Sequence, residues 1–244
     1  MNMLANLATS NDIADEKDSV GSGGVQESGL YPGKVALAYI QKAASEALGL
    51  VVIIKGDNGK DIKQTFWMTS GKAKGGTNYY TDKSGAKQYL PGFNQANSLA
   101  LLTTGKEIGQ LETETKVVNV YSSEAKAEVP TKVEVFTEML GQEIITGLIK
   151  QTVDKTQKDD NGVYQPTGET REENEVDKFF RAKDSMTTSE IRAQATEAVF
   201  IGTWEAKWAG KSKDKSTKGA GTAGAPKPAG AAGASTKPKN SLFA

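Results

Sequence analysis

Seven lysines and six aromatic residues fall between Lys55 and Phe93, against only three acids, Asp57, Asp61 and Asp82. That leaves the stretch at +4 in a chain whose formal net charge is zero. The lysines are Lys55, Lys60, Lys63, Lys72, Lys74, Lys83 and Lys87; the rings are Phe66, Trp67, Tyr79, Tyr80, Tyr89 and Phe93. Cations interleaved with aromatics are suited to an unpaired nucleic-acid strand. Ammonium groups neutralise phosphates, and unstacked bases lie on rings at roughly 1–3 kcal/mol per base. The bland alternative is that Trp67 packs beneath the following loop and the lysines only solubilise the surface.

Elements that would position this cluster are legible around it. Leu48 to Ile54 is an apolar run ending at Asp57-Asn58-Gly59, a hairpin signal that leads into a strand over residues 60–69. Strand alternation puts Ile62, Phe66 and Met68 on one face and Lys63, Thr65, Trp67 and Thr69 on the other. With an earlier strand over 34–41, three strands in a meander are expected. A long loop follows from Ser70 to Phe93, with a tight turn at Asp82-Lys83-Ser84-Gly85; loops of this length inside a domain are functional or disordered.

Several chemistries are removed by composition. The 244 residues contain no His and no Cys. Ser-His-Asp catalysis, histidine general bases, thiolate nucleophiles, disulfides and nearly all catalytic zinc sites therefore fall away. Carboxylate–magnesium chemistry would need acids that no paired motif nominates, so a non-enzyme without cofactor is expected. The N-terminus lacks the basic and apolar segments of a signal peptide, and no apolar run reaches the ~18 residues of a membrane span. A soluble protein of the cytoplasm is expected, with a single folded domain of roughly 180 residues.

From Asn94 the spacing becomes helical, with Asn94 or Asn97 as cap, Leu99, Leu102 and Ile108 as apolar positions near the helical period and Gly105 or Gly109 as stop. Short strand character returns at 116–121. Residues 131–140 fit either strand or short helix, and 142–153 read as a long strand with Ile145, Ile149 and Val153 inward. Residues 154–178 are charged and turn-rich, eight acids to four bases, with a hairpin tip at 159–162; they read as a solvated hairpin insertion and are not expected to line a nucleic-acid path. Thr187 to Glu190 is a capping-box pattern opening a helix over 187–209, striped by Ile191, Ala195, Val199 and by Phe200, Trp204, Trp208. Both tryptophans are expected to pack on the body of the domain or on a second chain, with nucleic-acid stacking as the lesser alternative.

The two ends differ. Residues 1–28 are polar and glycine-rich and read as a flexible leader. The 29–210 segment is the folded domain. Residues 211–244 collapse to Ala, Gly, Lys, Pro, Ser and Thr; seven lysines against Asp214 make this tail +6 and disordered, leaving −6 on the first 210 residues. Its last residues, Ser241-Leu242-Phe243-Ala244, form an apolar tip, so Leu242 and Phe243 are expected to dock on a replication partner.

Together these elements predict a mainly β fold with flanking helices: an OB-fold-like five-stranded barrel with a long loop between the third strand and the helix, a charged hairpin insertion and a C-terminal helix. In that fold the face of the second and third strands binds single strands. The chain also resembles the single-stranded DNA-binding proteins of tailed bacteriophages. The likeness rests on GLYPGKVALAY at 29–39, TFWMTSGKAKGGTNYYTDKSGAKQYLPGFNQANSL at 65–99, LGQEI at 140–144, TGETREENEVDKFFRAKDSMTTSEIRAQ at 167–194 and KPKNSLFA at the end. The resemblance implies a protein that coats single-stranded DNA during phage replication and recombination in the host cytoplasm, without catalysis. Many such proteins end in an acidic tail. This tail is basic, which suits added phosphate contacts, duplex DNA included.

In that reading the backbone runs along Lys55, Lys63, Lys72, Lys74, Lys83 and Lys87 while Trp67, Tyr79, Tyr80, Tyr89 and Phe93 stack bases. The competing reading is a non-catalytic replication or recombination adaptor whose loop binds a protein.

Overall fold

The structure, a computed structural model, describes residues 24–122, 124–159 and 164–217, with the backbone of 226–228. Its centre is an antiparallel meander of β1 (Gly29–Lys42), β2 (Leu48–Gly56) and β3 (Asp61–Trp67). The β2–β3 turn closes with Gly59 N–H donating to Gly56 O at 2.9 Å, and Gly59 takes the positive φ that glycine tolerates at no steric cost. Alternation along β3 is as the sequence predicts: Ile62 and Phe66 are buried, Lys63 and Trp67 exposed. β1 starts earlier than the predicted 34–41 because its first half has a second partner. Residues Gly29 to Lys34 pair with β8 (Glu143–Lys158), and a register shift in the pairing with β2 follows between Val35 and Leu37.

The main core fills the concave side of this sheet. Val35, Leu50, Val52, Ile54, Ile62 and Phe66 meet Ile144 and Leu148 of β8 and Val176 and Phe179 of β9 (Tyr164–Arg181). Helix α1 (Pro91–Thr104) closes it with Ala96, Leu99, Ala100 and Leu102. The helix begins ahead of the predicted asparagine caps. Pro91 occupies its first turn, where the missing N–H costs nothing, and Gly105 ends it in the left-handed conformation.

Between β3 and α1 the long loop is ordered. It holds a 3-10 turn at Lys72–Lys74 and a small hairpin of β4 (Tyr79–Thr81) and β5 (Lys87–Tyr89). The Asp82–Gly85 turn forms as expected: Asp82 accepts from the Ser84 and Ala86 N–H groups and the Ser84 hydroxyl. Its carboxyl is held below the usual carboxylate range, chiefly by the Ser84 hydroxyl.

A second hairpin, β6 (Glu114–Ser122) and β7 (Ala127–Val135), folds over the outer face of β1 and β2. It buries Tyr39, Val51 and Val135 together. The ambiguous 131–140 segment is thus both things: strand to Val135, then a 3-10 turn at Thr137–Met139. Ile145 and Ile149 of β8 point inward as predicted, but into a separate cluster on the sheet's other side, while Ile144 and Leu148 serve the main core. Both faces of β8 are covered, so its sequence carries no clean alternation. Val153 is only half-buried. Residues 154–178 are the outward continuation of β8 and β9, one ladder with the core strands, and Val176 within them is buried; the hairpin tip beyond 159 lies outside the described residues.

The helix predicted over 187–209 is two: α2 (Thr188–Arg192) and α3 (Phe200–Trp208). The capping box forms, with Thr187 Oγ1 accepting from Glu190 N–H. The stripe of Ile191, Ala195 and Val199 does not, because the chain breaks between the helices and leaves Val199 exposed. Trp204 and Trp208 pack as expected, against Ile149 and Phe180. Glu190 explains the break. Its other oxygen accepts from Val199 N–H and Phe200 N–H, both at 2.8 Å, so one carboxylate starts both helices. Burial alone would push the Glu190 carboxyl up; the hydrogen bonds from Thr187, Phe200 and Val199 outweigh it and hold the group below its ordinary value of 4.5.

A carboxyl held low in the fold contributes stability above its unfolded pKa, and that stability is lost as pH falls through the folded value. Glu190→Gln, which trades a charged acceptor for an amide donor facing N–H groups, should lower stability at pH 7 by about 1–2 kcal/mol. In urea titrations the gap between wild type and variant should narrow below about pH 4.

Both ends of the domain are more ordered than predicted. Ser28 is buried; its hydroxyl accepts from Lys150 N–H at 2.8 Å and donates to Lys211 O. Gln26 trades backbone hydrogen bonds with the Asn174 amide. The first residues of the predicted tail form β10 (Lys211–Asp214), parallel to β8 at Lys150 to Thr152, and β11 (Pro226–Pro228) pairs with β10. Residues 211–217 are thus structured, because β8 offers them an edge beyond the end of β1. The rest of the leader and tail, with Leu242 and Phe243, lies outside the described residues.

The whole is a mainly β protein with a few helices, its sheet open and almost wholly antiparallel. Strands β3 and β9 end the sheet on facing sides. They meet through side chains: Phe66 and Phe179 stack edge to face at 5.8 Å, and Val176 N–H reaches Gln64 Oε1 at 3.5 Å.

Candidate nucleic-acid interface

A cleft of about 1100 Å³ runs along the open seam between β3 and β9. Phe66, Gln64, Gln95 and Val176 line its depth. One wall carries Trp67, Lys74, Tyr79 and Tyr80; the other carries Glu175, Asp177 and Lys213. The cleft exists because the sheet is not zipped along this seam, so residues from both faces of β3 reach it.

Trp67 is 41% exposed and lies flat on the sheet. Gly49, its register partner on β2, makes this possible: a Cβ there would stand 2.9 Å from Trp67 Cε3. Glycine inside a strand marks a close approach of this kind. Behind it, Gly92 at the start of α1 sits so near that a Cβ would stand 2.2 Å from Trp67 O. The indole therefore lies against Gly49, the Trp67 backbone lies against Gly92, and the ring remains partly open to solvent.

The loop bearing the tyrosines is pinned to the β1–β2 turn. Lys72 N–H donates to Ser45 O at 2.8 Å, Ser70 N–H to Thr77 O at 2.8 Å, and Ser70 Oγ to Lys74 O at 3.2 Å. Tyr80 is 48% exposed at the rim, and Tyr79 is half-buried beneath Lys87, whose Nζ lies 4.7 Å from the ring centroid.

The predicted site residues thus divide. Trp67, Lys74, Tyr79 and Tyr80 share the cleft. Tyr89 is exposed on β5, 5.1 Å from the Phe93 ring, and Phe93 is partly buried against the main core. Lys83 and Lys87 are exposed on the hairpin bearing Tyr79 and Tyr80. Lys63 shares the outer face of β3 with Trp67, and Lys55 lies at the far end of β2 opposite Asp61. Lys72 is paired with Glu46 at 3.6 Å, beside the cleft rather than in it.

Sequence pattern does not single out Gln64, Gln95, Glu175, Asp177 or Lys213, which also line the cleft. Gln64 was hidden by its neighbours' alternation. The other four come from distant segments, and nothing local marks them. Asp177 is committed elsewhere: its Oδ2 accepts from Trp204 Nε1 at 2.7 Å and its carbonyl from the Gln95 amide. Glu175 is neutralised by Lys215, with Nζ 2.9 Å from both carboxylate oxygens, and Lys213 stands 3.6 Å away. The charges in the cleft balance, so its distinguishing property is exposed ring surface; the surplus positive charge lies on the adjoining hairpin and outer face.

Among the described residues no group of three or more potential metal ligands is found, and no helix is long and apolar enough to cross a membrane. No protein-family model and no curated protein matches the chain.

Proposed function

We propose that the protein binds single-stranded DNA without sequence preference and without catalysis, coating it during phage replication and recombination in the host cytoplasm. The observation that carries this reading is Trp67, seated on Gly49 and partly open to solvent, beside Tyr79, Tyr80 and Lys74 around an open cleft. Rings at successive positions accept any base, and the lysines of the β4–β5 hairpin and of the outer face of β3 follow the phosphates. The meander of β1, β2 and β3, then α1, then β8 returning beside β1 and β9 beside β8, supports an OB-type arrangement with its last seam left open.

Titration with oligo-dT should quench the intrinsic fluorescence, because Trp67 would stack with a base. Affinity should fall with salt at a slope of about −0.7 for each phosphate neutralised. Absence of both quenching and a mobility shift at low salt overturns the reading.

A second reading, a protein-binding adaptor, draws on the β6–β7 hairpin, where Val117 and Tyr121 are 62% and 58% exposed. Under it, oligonucleotide binding is indifferent to the cleft.

A further inference from the structure

Resting on that reading, we infer that Glu175 and Lys213 form an exchangeable latch on the cleft, in which an entering phosphate displaces the carboxylate from the lysine. Both side chains line the wall facing Tyr79 and Tyr80. They come from strands on opposite edges of β8: Glu175 pairs with Ile149, and Lys213 with Gln151. Their contact is an ion pair at 3.6 Å, and no hydrogen bond joins them. Glu175 already has a closer partner in Lys215, which holds both of its oxygens at 2.9 Å. Lys213 is thus the weaker of two cations on one carboxylate, and the one that lines the cleft.

The other charges on and beside this wall are engaged. Glu173 accepts from Gln151 Nε2 at 2.9 Å and from Arg171 at 3.1 Å, and Asp177 holds the Trp204 indole. Lys150 faces away, paired with Glu27 and Glu172. A phosphate has more charge-assisted acceptors to offer Lys213 than a carboxylate already shared with Lys215. Exchange leaves Glu175 satisfied by Lys215, so no uncompensated charge remains. The latch sets affinity below what the cleft's rings and lysines would otherwise reach, and it makes the C-terminal strand part of the binding site.

A double-mutant cycle on the full chain, read by oligo-dT titration over a salt series, tests this. Glu175→Gln should tighten binding by about three- to tenfold, within what rim and half-buried charges contribute. Lys213→Gln should weaken binding and reduce the salt slope by about 0.7, the share of one phosphate; Lys213→Arg should keep the slope. With Lys215→Gln in every member of the cycle, so that Glu175→Gln frees no second cation, the gain should vanish on adding Lys213→Gln. Glu169→Gln, the same charge change on an acid paired with Lys155 at 2.9 Å outside the cleft, should leave affinity unchanged. A Glu175→Gln gain that persists without Lys213, or a Lys213→Gln protein with unaltered affinity and slope, overturns the latch while leaving the single-strand reading intact. Failure of the wild-type protein to bind oligo-dT overturns both.

Discussion

The triple variant Tyr79→Ala, Tyr80→Ala, Lys74→Ala should lose oligonucleotide binding at physiological salt while remaining folded. Stacking contributes ~1–3 kcal/mol per base, so two rings account for at least about 2 kcal/mol, a loss of roughly thirtyfold before the phosphate contact of Lys74 is counted. Stability should change little, because Tyr80 and Lys74 are exposed and Tyr79 is outside the hydrophobic clusters. The β4–β5 turn keeps its own hydrogen bonds to Asp82 in the variant. Tyr121→Ala, which removes a ring of similar exposure from β6, should leave binding untouched. Fluorescence titration and a urea melt of the same samples separate the outcomes. Undiminished binding by the triple variant would move the interface elsewhere and favour the adaptor reading.

Much of this site could be read from local pattern, since it is built on one strand and the loop that follows. Alternation over Ile62, Phe66 and Lys63, Trp67 depends only on the two-residue period of a half-buried strand, and β3 obeys it. The Asp57-Asn58-Gly59 turn, the Asp82–Gly85 turn and the Thr187–Glu190 capping box are likewise set by residues within four of each other. What local pattern could not supply is the opposite wall. Glu175 lies in an acidic run that reads as solvent-exposed, and Lys213 in a stretch whose composition reads as disorder. Each is placed by pairing with β8, an interaction across tens of residues that leaves no periodic trace. The break between α2 and α3 has the same origin. Helical spacing continues from Ile191 to Trp208, yet the Glu190 carboxylate captures the Val199 and Phe200 N–H groups and restarts the helix there. The open seam was illegible too, because whether β3 and β9 zip together depends on the curl of the entire sheet.

Gly92 decides whether the platform and the core can coexist, and its replacement sets two opposed effects against each other. By helix propensity alone, Gly92→Ala in α1 should stabilise by up to about 1 kcal/mol. The added Cβ would instead stand 2.2 Å from Trp67 O and 2.7 Å from Trp67 N, and backbone atoms cannot swing aside as a flexible side chain can. Either the first turn of α1 lifts off β3 or β3 shifts, and both α1 and β3 contribute to the main core. Overpacking of this kind costs about 1–3 kcal/mol, enough to reverse the sign. Gly202 in α3 provides the comparison, because a Cβ there meets nothing within 4 Å. Gly202→Ala should stabilise by about 0.5–1 kcal/mol, as propensity dictates where space is free. Urea unfolding of the two variants should therefore move in opposite directions, and Gly92→Ala should also bind oligo-dT more weakly because Trp67 is displaced. A stabilised Gly92→Ala protein with wild-type binding would show that α1 does not hold the Trp67 backbone in place, and the platform would lose its rigid support.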